Sequence, residues 1–127
     1  MNPNFESIGK QFVNEYYSRF DTNRAYLKEL YRPFSMLTFE GDQFQGVDAI
    51  ITKLTSLPFQ TVAHVITTTD VQPSPNNGVL VFTVGQLKTD NDPPHSFSQT
   101  FLLMPEDKEL QSYYVLNDLF RLSLHHA

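Results

Sequence analysis

Ser35-Met36-Leu37-Thr38-Phe39-Glu40-Gly41-Asp42-Gln43-Phe44-Gln45-Gly46 is the first strand signal in the chain, set between helical segments on either side. It reads as two short strands folded about Gly41-Asp42. Successive strand residues point to opposite faces, so Phe39 and Glu40 are expected on opposite sides. A large apolar group beside an acid with no obvious partner suits a pocket with a charged lip. It equally suits an ordinary strand end.

Upstream, Phe5, Ile8, Phe12, Val13, Tyr16, Tyr17 and Phe20 recur at helical spacing and predict a first helix with one broad apolar stripe. Asn2-Pro3 or Asn4 can cap its start. Asp21-Thr22 breaks the pattern and caps a shorter helix through Leu27, Leu30 and Tyr31, which Pro33 stops. Downstream of the hairpin, Asp48 to Leu57 predicts a third helix with Ile50, Ile51, Leu54 and Leu57 on one side, and Asp48 near its positive end. The remainder reads as long strands at Thr61–Gln72, Val79–Lys88, Ser96–Met104 and Ser112–Ser123. They are separated by a Pro73–Gly78 turn with an Asn-Gly signal, a polar loop at Thr89–Pro94, and Pro105–Lys108.

Helices first and a strand meander last predict an α+β fold. Its form is a cone-like half-barrel, a bent antiparallel sheet wrapped around the N-terminal helices and leaving an opening. Phe97, Gln99, Phe101, Leu103 and Tyr113, Val115, Asn117, Leu119 are expected on one sheet face. Leu102, Met104, Tyr114, Leu116 and Phe120 are expected on the other. A sheet apolar on both faces needs cover on both, and a homodimer through the sheet supplies the second cover.

The 127 residues predict a single domain over 1–127, with no repeat, low-complexity tract or linker. No apolar run is long enough to span a bilayer, and Met1–Phe5 does not read as a secretory signal. With no cysteine there is no disulfide framework and no thiolate, and a cytosolic or nuclear location is the default. Fourteen acids against nine Lys and Arg, the latter scattered, argue against nucleic-acid binding. A basic protein partner or a neutral ligand fits that balance better. Eleven Phe and six Tyr exceed what a core alone requires and leave some for binding.

Enzyme signatures are thin: no glycine-rich phosphate loop, no nucleophile elbow, no metal-binding histidine spacing. His64 alternates with Val62 and Ile66 and is expected to face the cone interior. A hydrogen-bonded structural role is favoured there over a catalytic base. His95 falls in a loop, and His125-His126 reads as a frayed end. Glu40, Asp90 and Asp92 read by pattern as solvated carboxylates, and Asp90-Asn91-Asp92 before two prolines is too small a ligand set for Ca²⁺. Phe39, Leu57, Phe59 and Val62 read as core. No catalytic residue, metal site or cofactor is expected.

An ordered set of segments resembles the nuclear transport factor 2 family: Phe5, Phe20-Asp21-Thr22-Asn23-Arg24, Leu37–Gly41, Gln43–Gly46, Ser56–Gln60, Gln72-Pro73, Gly85-Gln86-Leu87 and Asn117–Leu122. The likeness runs nearly end to end, in order and spacing. It implies the bent sheet around helices and a homodimer through that sheet. It also implies a non-catalytic carrier for the GDP-bound form of the GTPase Ran, moving through pores lined with Phe-rich (FxFG) nucleoporin repeats. Such a carrier is placed in cytoplasm and nucleus, enriched at the pore. Carried over by position, an aromatic of the GTPase would enter a cavity walled by Phe39, Leu57, Phe59, Val62 and Leu119. Glu40, Asp90 and Asp92 would form its acidic rim, and Phe5 would belong to the nucleoporin site. Some relatives carry Trp where this chain has Phe5 and Phe39, or a cavity-closing aromatic where it ends His125-His126-Ala127. The alternatives are an isomerase- or dehydratase-like enzyme using the cavity with His64 or Asp118 as base, and a dimerisation module for RNA-export partners.

Overall fold

The computed structural model describes residues 1–123, so His125 and His126 lie outside the described residues. Helix α1 spans Phe5–Thr22, a 3₁₀ helix Arg24–Leu30, and α2 Val47–Thr55. The strands are β1 Tyr31–Phe39, β2 Asp42–Gln45, β3 Val62–Ser74, β4 Gly78–Thr89, β5 His95–Pro105 and β6 Tyr113–Leu122. They form one open six-stranded sheet in the order β2-β1-β6-β5-β4-β3. The expected bent sheet around N-terminal helices is the architecture found. Every neighbouring pair is antiparallel except β1 and β6, which run parallel.

The apolar stripe of α1 lies in the concave face of the sheet. Phe12, Val13, Tyr16, Tyr17 and Phe20 are buried there against Val79, Val81, Phe97, Phe101 and Leu103. Phe12 and Tyr16 both pack edge-to-face with Phe101, with ring centroids 5.0 and 4.7 Å apart. Aromatic edges are drawn to ring faces by their quadrupoles, which fixes the helix against the strand.

Three departures from the sequence reading have identifiable causes. Asp21-Thr22 forms the last two residues of α1 rather than the cap of the next helix; Asn23 caps the 3₁₀ helix by accepting from the Ala25 N–H. Tyr31 opens β1 rather than closing a helix, and Pro33 sits inside that strand. Proline is tolerated because β1 bulges away from β6 between Tyr31 and Met36, where no ladder donor is needed. The Ser35 hydroxyl closes the bulge, accepting from the Arg32 N–H and donating to the Val115 carbonyl. Finally, α2 stops at Thr55, leaving Leu57 in the following loop.

Two further bulges bend the long strands. One, between Ile66 and Thr68 of β3, brings the strand onto Gly85 of β4. A Cβ at Gly85 would stand 2.3 Å from the Val65 carbonyl oxygen, so only glycine admits this approach. The other falls in β6, where Leu102 pairs with Asn117 but Leu103 with Val115, leaving Leu116 unpaired. One extra residue flips the side-chain phase of everything beyond it. Asp118 and Phe120 therefore point inward, and Leu119 is 53% exposed on the convex face. Unbroken alternation predicted the reverse for Leu119 and Phe120.

Candidate functional site

Between the open end of the sheet and the α2–β3 loop lies an apolar cavity of ≈ 170 Å³. Four residues expected on its wall line it: Phe39, Leu57, Phe59 and Val62. Leu119 does not, because of the β6 bulge. Its place is taken by Phe120 and Leu122, with Phe20, His64 and Leu87 completing the wall. Alternation broken at Leu116 hid the first two, and nothing local in the sequence signals such a bulge.

Phe39 ends β1 and stacks flat on Phe120, centroids 4.6 Å apart, and Phe120 stacks in turn on Phe97 at 5.7 Å. On the outer side, Lys53 of α2 places its ammonium 5.3 Å from the Phe39 ring and 5.7 Å from Phe44. Leu57 and Phe59 come from a loop held on both flanks. Arg24 donates from Nη1 to the Leu54 carbonyl at 3.1 Å and from Nη2 to that of Phe59 at 2.9 Å. Its guanidinium also lies 4.5 Å from the centre of the Phe59 ring, adding a cation–π contact. On the other flank Asp90 Oδ1 accepts from the Gln60 and Thr61 N–H groups and the Thr61 hydroxyl at 3.1, 2.9 and 3.2 Å.

None of the three acids named from sequence is among the residues lining the cavity; Glu40 and Asp90 bond to residues at its edge, and Asp92 does not. Glu40 is in the hairpin turn itself rather than at a strand end. It and Gly41 take left-handed φ of 52° and 90°, the geometry a two-residue hairpin turn requires. Its Oε1 accepts from the Leu122 N–H, and among the described residues Oε2 has no hydrogen bond. Asp90 is held below the usual carboxylate range, chiefly by the Thr61 N–H. Asp92 is exposed, and among the described residues its carboxylate has no partner, while its backbone carbonyl accepts from Lys88.

Neither candidate base stands in a reactive arrangement that the sequence foresaw. His64 is paired, its Nδ1 2.5 Å from Asp21 Oδ1. Asp118 is fully buried beneath the cavity and does not line it. Its carboxylate accepts from Gln99 Nε2 at 2.8 Å and from the Tyr31 and Tyr16 hydroxyls at 2.7 and 3.4 Å. Burial pushes its pKa up to about 6, against the lowering effect of those donors. Phe5 is remote from all of this. It opens α1, whereas Phe20 meets the cavity roughly 22 Å further along the helix axis.

A family profile described as the nuclear transport factor 2 (NTF2) domain matches residues 8–122. The chain belongs to this family. It is 54% identical over 125 residues to nuclear transport factor 2 of Kluyveromyces lactis, covering 97% of this chain and 98% of that one. It is 52% identical over 121 residues to nuclear transport factor 2B of Arabidopsis thaliana, covering 93% and 94%. Among solved structures, nuclear transport factor 2 from Cryptosporidium parvum superposes with a TM-score of 0.92 at 51% identity, over 97% of this chain and 98% of that one. These relatives are transport factors by name, which supports a nuclear transport carrier role.

Proposed function

We propose that this chain is a nuclear import carrier that binds the GDP-bound form of Ran and FxFG-repeat nucleoporins as a homodimer, without catalysis. It moves between cytoplasm and nucleus and concentrates at the pore. The observation that carries the reading is an apolar cavity walled in part by Phe39, Leu57, Phe59 and Val62, with Glu40 bonded to the lining residue Leu122 and Asp90 to the loop between Phe59 and Val62, in a chain of this family. Burying one aromatic side chain of the GTPase in such a pocket supplies roughly 1.5–3 kcal/mol. Exposed rim pairs add ~0.2–1 kcal/mol each. That sum supports a reversible complex, as a shuttle requires. Nucleotide selectivity follows if the GTPase presents its aromatic in only one nucleotide state, since switch segments change order with the γ-phosphate. A dimer is supported by the convex sheet face, where Leu80, Phe82, Met36 and Leu119 stand exposed.

Calorimetry with GDP- and GTP-loaded Ran tests the reading, and Glu40 supplies the variants. Glu40→Gln keeps the acceptor for the Leu122 N–H and removes the charge, so binding to the GDP form weakens. Glu40→Lys reverses the charge and abolishes it, with the dimer intact by sedimentation. Unchanged affinity in both variants sinks the assigned rim.

A further inference from the structure

Asn2 is the only buried residue among the first four, 1% exposed between a projecting Met1 and the exposed Pro3 and Asn4. Its neighbours decide how its amide is turned. The Asn4 N–H can only donate and the Asn77 carbonyl can only accept, so Oδ1 takes the former at 2.9 Å and Nδ2 donates to the latter at 3.3 Å. The second Nδ2 hydrogen goes to the Tyr113 hydroxyl. Asn77 belongs to the β3–β4 turn, where it and Asn76 both take a φ of 61°, and Tyr113 opens β6. One side chain thus pins the start of the chain to segments 75 and 111 positions away.

We propose that Asn2 is the positioning residue for Phe5 at the FxFG site. This rests on the reading of Phe5 as part of that site and names what holds its ring in place. Helix α1 begins at Phe5, and Asn4 at its cap position makes no side-chain capping bond. The N–H groups of a first helical turn have no partner within the helix, and ends without caps fray. The Ile8 N–H bonds to the Asn4 carbonyl at 3.1 Å and closes that turn, so its order depends on where Asn4 is held. Asn2 holds Asn4 through its N–H and carries the anchor across to the sheet. Phe5, the next residue, packs partly against the core and keeps part of its surface open. A ring already fixed on its helix avoids the entropy loss of being ordered on binding, which a frayed turn adds each time a repeat is captured.

A peptide carrying FxFG repeats and GDP-loaded Ran are titrated separately into the wild type, Asn2→Ala, Tyr113→Phe and the double variant. Asn2→Ala is expected to weaken FxFG binding by about three- to tenfold and to leave Ran affinity unchanged. Tyr113→Phe removes one of the three bonds and weakens FxFG binding by less, and the double variant loses no more than Asn2→Ala alone. Amide exchange at Ile8 speeds up in Asn2→Ala. A side chain of merely structural importance lowers stability without separating the two affinities. FxFG affinity equal to wild type in Asn2→Ala, an Ile8 amide no faster than before, or an equal loss for both ligands overturns the positioning role. Phe5→Ala, run in parallel, separates the two levels. If it weakens FxFG binding while Asn2→Ala does not, only the role of Asn2 falls. If Phe5→Ala binds the repeats as the wild type does, the reading of Phe5 falls and this inference with it.

Discussion

Asn in place of Asp118 removes an ionisable group from the centre of the molecule while keeping a side chain of the same shape. In the folded protein that carboxyl titrates near 6 rather than at its ordinary 3.8, because burial disfavours the charge more than Gln99, Tyr31 and Tyr16 stabilise it. The native state therefore holds a proton that the unfolded chain has released, and stability falls as pH rises from about 4 to about 6. A rise from 3.8 to about 6 is roughly 2 units. At 1.36 kcal/mol per unit this gives about 3 kcal/mol, present at pH 4 and gone by pH 7. Urea unfolding of wild type and Asp118→Asn at fixed protein concentration, at pH 4, 5, 6 and 7, isolates it. All other titrating groups cancel in the difference between the two proteins. The wild type is expected to lose about 3 kcal/mol relative to the variant across that range. A difference that stays constant with pH, or one that grows in favour of the wild type, refutes the reasoning.

Gly85→Ala drives a Cβ into the backbone of Val65 and Ile66, which cannot yield as a side chain tip would. A destabilisation of about 1–3 kcal/mol by denaturant unfolding is expected. Arg24→Lys keeps the charge but loses the fork that spans the Leu54 and Phe59 carbonyls. It costs about 1–2 kcal/mol and speeds amide exchange at Gln60 and Thr61, and unchanged exchange there contradicts the loop-holding role. Phe5→Ala weakens binding to FxFG peptides and leaves affinity for GDP-loaded Ran intact in parallel titrations. Equal loss of both argues against separate sites.

The helix-then-meander order and the apolar stripe of α1 were legible because periodicity records which face of an element is buried. The hairpin at Glu40-Gly41 was legible from its turn residues, though one residue out of register. Phe39, Leu57, Phe59 and Val62 could be placed together only through the family resemblance, since pattern alone reads each as core. What remained hidden depends on contacts between distant segments. The single unpaired residue at Leu116 reverses the faces of Leu119 and Phe120, and nothing in the local sequence favours one phase over the other. Asp21 reads locally as a helix cap, yet its carboxylate is claimed by His64, 43 positions away. The sequence by itself determined which elements form and in what order, because those choices rest on local propensity and on hydrophobic period. Only the tertiary structure decided which side chains wall the cavity and how the acids beside it are held. Strand register, bulges and buried hydrogen bonds are fixed by the best joint packing of segments far apart in the chain.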